Sequence, residues 1–322
     1  MADRDHLRQQ NRHLRMENKQ ANARAQALTD KVEKLDLELT GLQDSLHVPP
    51  GHYYSPIPDF DEILGLEGYF DRFPDGLPGI DLNDAQQLQL MESFQVFYAE
   101  MPFTAERSDG LRYYFNNGQF EYSDAIILYS MLRYLRPKKI IEVGSGFSSA
   151  VILDTSDLFL NSEVDCTFVE PYPQTLETVL STEGTKPPPD LTILEKRLQD
   201  VDQEIFLTLG PNDVLFIDST HVSKAASDVN RLVLEILPLL REGVYVHFHD
   251  IFYPFEYPRP WFEEARAWNE AYMLRAFLEF NRAFDIVFFS TYLEQRYRSR
   301  FEQHMPLCLV NPGGSIWLRK RS

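Results

Sequence analysis

Cysteine is scarce in this chain. The 322 residues hold two, Cys166 and Cys308, each inside an apolar run, which excludes a disulfide-stapled fold and fits buried, reduced thiols. Uninterrupted apolar stretches of the length a spanning helix needs, about eighteen residues, are absent as well. The first residues are too polar for a signal peptide. These absences predict a cytoplasmic protein with no membrane span. Basic clusters are missing too. The net charge is −18, and residues 1–48 balance eight basic against eight acidic groups, so the whole excess lies in residues 49–322, with 23 basic and 41 acidic. The only basic run there is the tail Arg319, Lys320, Arg321. A surface so acidic repels phosphate backbones, which excludes nucleic acid as a partner and leaves small molecules or glycans.

Helix breakers are absent from the start of the chain. No proline precedes Pro49 and the only glycine is Gly41. Leu7, Leu14, Ala21, Leu28, Leu35 and Leu42 recur every seven residues. Asn11, Asn18, Ala25, Val32, Leu39 and Leu46 take the companion positions four further on. The spacing predicts a coiled coil over 1–48, and the asparagines at seam positions favour one register, most simply a parallel homodimer. A brace on the chain's own domain or on another protein is the alternative. Pro49, Pro50 and Gly51 end the helix. Residues 49–110, with an amphipathic run DLNDAQQLQLMESFQVFYAEM, are expected to pack as an extension on a domain formed by 111–322. The apolar content of 43% is enough for a sizeable core.

Beyond Leu111 strands and helices alternate, which implies an α/β domain with a parallel sheet wound on both faces. The strand candidates are KKIIEV, DCTFVE, LTILEK, DVLFID, GVYVHFHD, FDIVFFSTY and SIWLRK, with a Pro-rich linker at 187–189. Helices are expected over KAASDVNRLVLEILPLL and, as one long element, from about Trp261 to Asn281. The run KKIIEVGSGFSS reads as a buried strand turning through Gly144 and Gly146 into a helix started by Ser148 and Ser149. A dinucleotide site would want a third glycine where Ser149 stands. Glu142 beside the glycines suits the cationic end of S-adenosylmethionine (SAM), and Glu170, closing the next strand, suits its ribose hydroxyls.

In EVGSG at 142–146, Glu170, DVLFIDSTH at 213–221, GVYVHFHD at 243–250 and GGSIWLRK at 313–320, the chain resembles the class I SAM-dependent methyltransferases. Within them it resembles the bacterial group of macrocin-type sugar O-methyltransferases and cephalosporin-hydroxylase-like proteins, over residues 111–322. The resemblance implies a Rossmann-like, doubly wound sheet of seven strands with the last antiparallel. It also implies that Ser145 and the rest of the 142–149 turn hold SAM, and that Gln199 or Asp200 meets the adenine edge. A charged, solvated loop is the plainer reading of those last two residues.

Methyl transfer to a hydroxyl needs the acceptor's proton removed or its pKa lowered. His221, three residues after Asp218, is the candidate general base, as an ordinary imidazole titrates near pH 6.5; the catechol-type relatives place a base at the corresponding position. Asp218, His249 and Asp250 are the candidate ligands of a divalent metal, Mg²⁺ or Mn²⁺. The relatives that use metal carry a second acid or amide beside the later aspartate. Here His249 precedes Asp250 and Ile251 follows it. The plainer reading makes both aspartates structural. Aromatic residues of IFYPFEYPRPW suit the face of an acceptor ring, or simply a packed lid. Two other functions stay open: metal chemistry of the cephalosporin-hydroxylase type in the same pocket, and a non-catalytic SAM-binding scaffold with a coiled-coil partner.

Overall fold

The computed structural model describes residues 2–44, 47–185, 188 and 190–321, with side chains throughout except at 2–12 and 37–44. Two compact units divide between Leu66 and Glu67. In the first, an unbroken 43-residue helix, Ala2–Asp44, is followed by the turn at Pro50 and Gly51 and a short helix, Phe60–Leu64, capped by Asp59, whose carboxylate accepts from the Glu62 amide at 3.0 Å. Every side chain described between 13 and 36 is exposed, and Leu14, Leu28, Val32 and Leu35 each show more than half of their surface. Leu7, Asn11, Leu39, Leu42 and Leu46 of the heptad pattern, and Pro187 and Pro189 of the expected linker, lie outside the described residues or side chains. No helix among the described residues is long and apolar enough to cross a membrane.

The second unit holds the sheet, β1 (Lys139–Val143), β2 (Asp165–Val169), β3 (Leu191–Leu194), β4 (Val214–Ile217), β5 (Tyr245–Phe248), β6 (Phe284–Phe289) and β7 (Ile316–Lys320). The order is β3-β2-β1-β4-β5-β7-β6, and β7 alone runs antiparallel to its neighbours. The central strands β4 and β5 are buried throughout, which explains the unbroken apolar run Val214–Ile217 of β4, while β5 buries His247 among its apolar residues. The chain leaves β1 for β2 on one side, and β4 lies on the other, in register from Ile140↔Val214 to Val143↔Ile217. A crevice opens at such a reversal of strand order, beyond the carboxyl ends of the strands.

Residues 67–110 pack on this unit. Phe94 of the helix Asp84–Ala99 meets Phe288 of β6 with ring centroids 5.6 Å apart, and the buried Gln87 side chain donates to the Leu82 carbonyl and accepts from the Phe289 amide. The stretch Arg112–Phe120 is a loop. Asp154 and Asp157 take the Arg112 guanidinium at 2.8 Å each, and the Asn117 side chain bonds the carbonyls of Tyr114 and Phe120 and the amides of Gln119 and Phe120.

Two expected helices are broken. The run 224–240 becomes a short α-turn, Asp228–Arg231, a wider π-turn, Leu232–Ile236, and a 3₁₀ turn, Leu237–Leu239; Pro238 lacks an N–H and crowds the preceding turn. The element expected from Trp261 to Asn281 is two helices, Arg259–Glu263 and Glu270–Leu278. Between them Ala265 takes a left-handed conformation, φ +56°, and the amides of Asn269 and Glu270 both donate to the His221 carbonyl at 3.1 Å. The second helix therefore starts where the chain past β4 needs donors.

Candidate functional site

On the β1 side of the crevice, backbone geometry dominates. Gly144 has φ +82°, and a Cβ there would lie 1.8 Å from the Asp218 carbonyl oxygen, so the turn after β1 presses directly on the end of β4. No other residue type fits. Gly146 is extended, with φ −176°, and starts the helix Phe147–Phe159. A Cβ on it would meet nothing nearer than 3.5 Å, so its place leaves the backbone open without being sterically imposed. Glu170 accepts from the Ser145 amide at 2.9 Å and the Tyr172 amide at 2.8 Å, so its half-buried carboxylate faces the glycine turn. The hydroxyl of Ser145, and that of Ser219 after β4, are buried without a hydrogen-bond partner.

Glu142 behaves differently from expectation. It has no exposed surface, and its two oxygens accept from the Ser148 hydroxyl at 2.6 Å and the Ser149 hydroxyl at 2.5 Å. Burial pushes it up to about 8 against the pull of those two hydroxyls. At neutral pH it is a protonated brace under the turn, not a carboxylate offered to a cationic ligand. Gln199 and Asp200 lie on a short 3₁₀ turn, Leu198–Asp200. The Gln199 amide donates to the Ala226 carbonyl, while exposed Asp200 pairs with Arg197 at 2.8 Å. Arg231 holds the carbonyls of Gln199 and Val201.

The β4 and β5 ends carry the charged groups. His221, buried and at φ +58°, points Nε2 at Asp218 Oδ1, 3.3 Å away, and at Asp250 Oδ2, 3.6 Å away. Its Nδ1 is 2.9 Å from Glu270 Oε2. The ring stacks on Trp268 at 4.3 Å between centroids. One ligand atom each from Asp218, His221 and Asp250 lie within 4.8 Å of one another. Asp250 is also left-handed, φ +59°, a conformation that costs energy and is retained where its surroundings impose it. Asp228 fixes the turn before His221 by accepting from the Thr220 amide and hydroxyl, at 3.1 and 2.6 Å.

Burial works against a charged imidazole at position 221, but the hydrogen-bonded carboxylates of Asp218 and Glu270 outweigh it and raise His221 to about 10. Asp218 is lowered despite its burial because His249 and His221 face it. In the metal-free chain His221 thus keeps its proton at neutral pH, and the expectation of a ready base near pH 6.5 is corrected. The metal expectation changes as well. The third converging atom belongs to His221, not to His249, whose Nε2 lies 3.5 Å from Asp250 Oδ1 and whose Nδ1 lies 4.0 Å from Asp124. His247, two residues earlier on the same face of β5, bonds Ser315 at 3.0 Å, and burial holds it well below its usual range. It is structural.

Glu270, Trp268 and Asp124 are parts of this site that the sequence reading missed. Glu270 lies 49 residues beyond His221 in an ordinary amphipathic run, and only its place at a helix start, after Asn269, sets it apart. A cavity of about 1150 Å³ adjoins the loop after β5; its walls include Tyr69, Phe70, Phe73, Phe252, Glu256 and Tyr272. Glu256 accepts from the hydroxyls of Tyr69 and Tyr272 at 2.5 Å each. From Phe252 the aromatic contacts run through Trp261 and Trp268 to His221, at centroid distances of 5.1, 4.9 and 4.3 Å.

A family model described as a methyltransferase domain matches residues 141–251, the stretch from β1 through Asp250. A protein of Archaeoglobus fulgidus described as uncharacterized is 35% identical over 170 residues, 51% of this chain and 74% of that protein. Among solved structures, the SAH-bound methyltransferase PaMTH1 of Podospora anserina matches with 13% identity, 78% of this chain, 100% of that one and a TM-score of 0.40. The O-methyltransferase TomG from Streptomyces achromogenes, in complex with SAM, matches with 13% identity, 74% and 90% coverage and a TM-score of 0.41. The glycine turn and the ends of β4 and β5 fall within the matched stretch, so residues 141–251 carry a methyltransferase domain, set in a Rossmann-like α/β sheet.

Proposed function

We propose that the chain transfers the methyl group of SAM to a hydroxyl of a small molecule or glycan, at a site where Asp218, His221 and Asp250 hold a divalent cation. The observation that carries this reading is the convergence of those three ligand atoms within 4.8 Å just past the ends of β4 and β5. The donor set fits the group. Two carboxylates and an imidazole suit Mn²⁺ or Fe²⁺ better than Mg²⁺, which favours oxygen ligands throughout. A bound divalent cation would supply Lewis acidity that lowers the pKa of an acceptor hydroxyl.

The remaining work falls to the protein. Glu170, facing the Ser145 amide, is suited to take the ribose hydroxyls, and the unpartnered Ser145 hydroxyl gives the cofactor a polar group in the turn. Glu142 keeps that turn rigid from beneath. Gln199 and Asp200 can border the adenine edge only through their loop, since Asp200 is engaged by Arg197. The aromatic cavity beside Phe252 is suited to the non-reacting part of the acceptor: its aromatic walls would stack on a ring, and Glu256 would accept hydrogen bonds from hydroxyls. Apolar walls with a few polar groups give orientation and exclude water.

The test is transfer of a labelled methyl group from SAM to a panel of sugars and polyphenols, with the protein stripped by chelator and then reloaded with Mn²⁺ or Mg²⁺. Loss of turnover on stripping and return on reloading supports the reading; undiminished turnover in chelator removes the metal from it. The long helix is proposed to pair with a second copy. Its exposed Leu14, Leu28, Val32 and Leu35 recur on one stripe and are more than half exposed in the single chain. Deleting residues 1–48 should lower the mass seen by light scattering to less than half.

A further inference from the structure

Several buried acids of this fold are held by main-chain amides. Asp213 accepts from the amides of Lys138, Lys139 and Gly210, and Asp154 from those of Arg112 and Tyr113. Such acids fasten loops. Glu270 is different. It is 1% exposed, its Oε2 is 2.9 Å from His221 Nδ1, and its Oε1 has no hydrogen-bond partner. Its one described hydrogen bond goes to the imidazole. A carboxylate placed only to fasten the helix Glu270–Leu278 would gain more from an amide or a guanidinium.

The same short segment fixes His221 in three further ways. The Asn269 and Glu270 amides hold its carbonyl, the Asn269 side chain accepts from the Ser223 amide at 2.6 Å, and the Trp268 ring lies against the imidazole face. With the main chain and the ring plane set, what remains free is which ring nitrogen carries the proton when the ring is neutral. Glu270 decides it. A proton on Nδ1 is donated to Oε2, which leaves the Nε2 lone pair directed between Asp218 and Asp250, 3.3 and 3.6 Å away. Metal-bound histidines recurrently have their other ring nitrogen held in this way.

We infer that Glu270 is a positioning residue: it holds His221 in the tautomer whose Nε2 can complete a cation site with Asp218 and Asp250. The inference rests on the proposed metal reading. With its one described side-chain hydrogen bond going to the imidazole, Glu270 acts through His221.

The experiment uses the full chain and measures Mn²⁺ binding by electron paramagnetic resonance and SAM affinity by calorimetry, for wild type, Glu270→Gln and Glu270→Asp. Loss of the second-sphere carboxylate should weaken Mn²⁺ binding by about 10- to 100-fold in Glu270→Gln. Glu270→Asp, which keeps the charge, should recover part of that loss, and SAM affinity should be the same in all three. Equal Mn²⁺ affinity in wild type and Glu270→Gln overturns the positioning role while leaving the metal reading intact. Wild type that takes up no Mn²⁺ overturns both. Because a buried acid can be needed for folding, a second measurement uses the wild type itself. Long-range ¹H–¹⁵N correlation of the Mg²⁺-loaded protein, with the His221 signal identified by its loss in His221→Asn, should show the proton on Nδ1. A proton on Nε2 rejects the inference.

Discussion

Glu142 and Asp218 stand at the ends of adjacent strands of one sheet, yet their surroundings drive them in opposite directions. Glu142 is sealed under the glycine turn with two hydroxyls for company, and burial without a cation raises it to about 8. Asp218 faces two imidazoles, and despite its burial it is lowered. The β1 side of the crevice is thus a neutral, rigid cradle. The β4–β5 side concentrates Asp218, Asp250 and Glu270 around one imidazole. Between these two acids the available partner decides the direction, whereas at Asp250 and Glu270 burial outweighs the neighbouring imidazoles and raises both.

The largest effect should come from breaking the seam between the two sides. Gly144→Ala puts a methyl group on the Asp218 carbonyl at a left-handed position, so stability in urea should fall by about 3 kcal/mol or the chain should fail to fold. Wild-type stability in the alanine variant would show that the turn and β4 are not in contact. Next is Asp218→Asn, which should lower kcat by on the order of 100-fold while SAM affinity measured by calorimetry stays close to wild type. An equal loss in both would mean that Asp218 serves the cofactor rather than the reaction.

The cradle side has its own pH signature. Folded Glu142 keeps a proton that the unfolded chain releases above the ordinary glutamate value of 4.5, so its contribution to stability is full below that value and is lost as pH rises toward about 8. The slope in this window is at most about 1.4 kcal/mol per pH unit for one proton. Glu294, also raised to about 8 by burial, adds a second slope of the same sign. Glu142→Gln should flatten urea-derived stability between pH 5 and 8 by the Glu142 contribution alone, leaving the slopes of the other raised groups; an unchanged profile would mean that Glu142 is ionised in the fold. The smallest effect is expected at the cavity. Glu256→Gln should raise the acceptor KM by roughly tenfold, the weight of one charged hydrogen bond, with kcat nearly unchanged.

Much of the fold was legible because each strand of the sheet is a short apolar run bounded by turn residues, and because EVGSG can hardly be anything but a strand entering a tight turn. The helices past β4 were less legible. Periodicity ran on through Ala265 and into Leu232–Ile236, while Pro238 and the demands of His221 broke both elements. Residue types marked the site but not their roles. His221, Asp218 and Asp250 stood out as strand-end polar groups, whereas Glu270 looked like any acid on an exposed helix, although the fold buries it against the imidazole.

By itself the sequence determined the strand order's raw material, the turn at Gly144 and the long N-terminal helix, because these depend on local sterics and hydrophobic spacing. Tertiary structure alone decided which acids are charged, which nitrogen of His221 faces its neighbours and which residue is third in the cluster. Those properties depend on distances of 3 to 4 Å between side chains from β4, β5 and the helix Glu270–Leu278, and on the water that packing removes from around them.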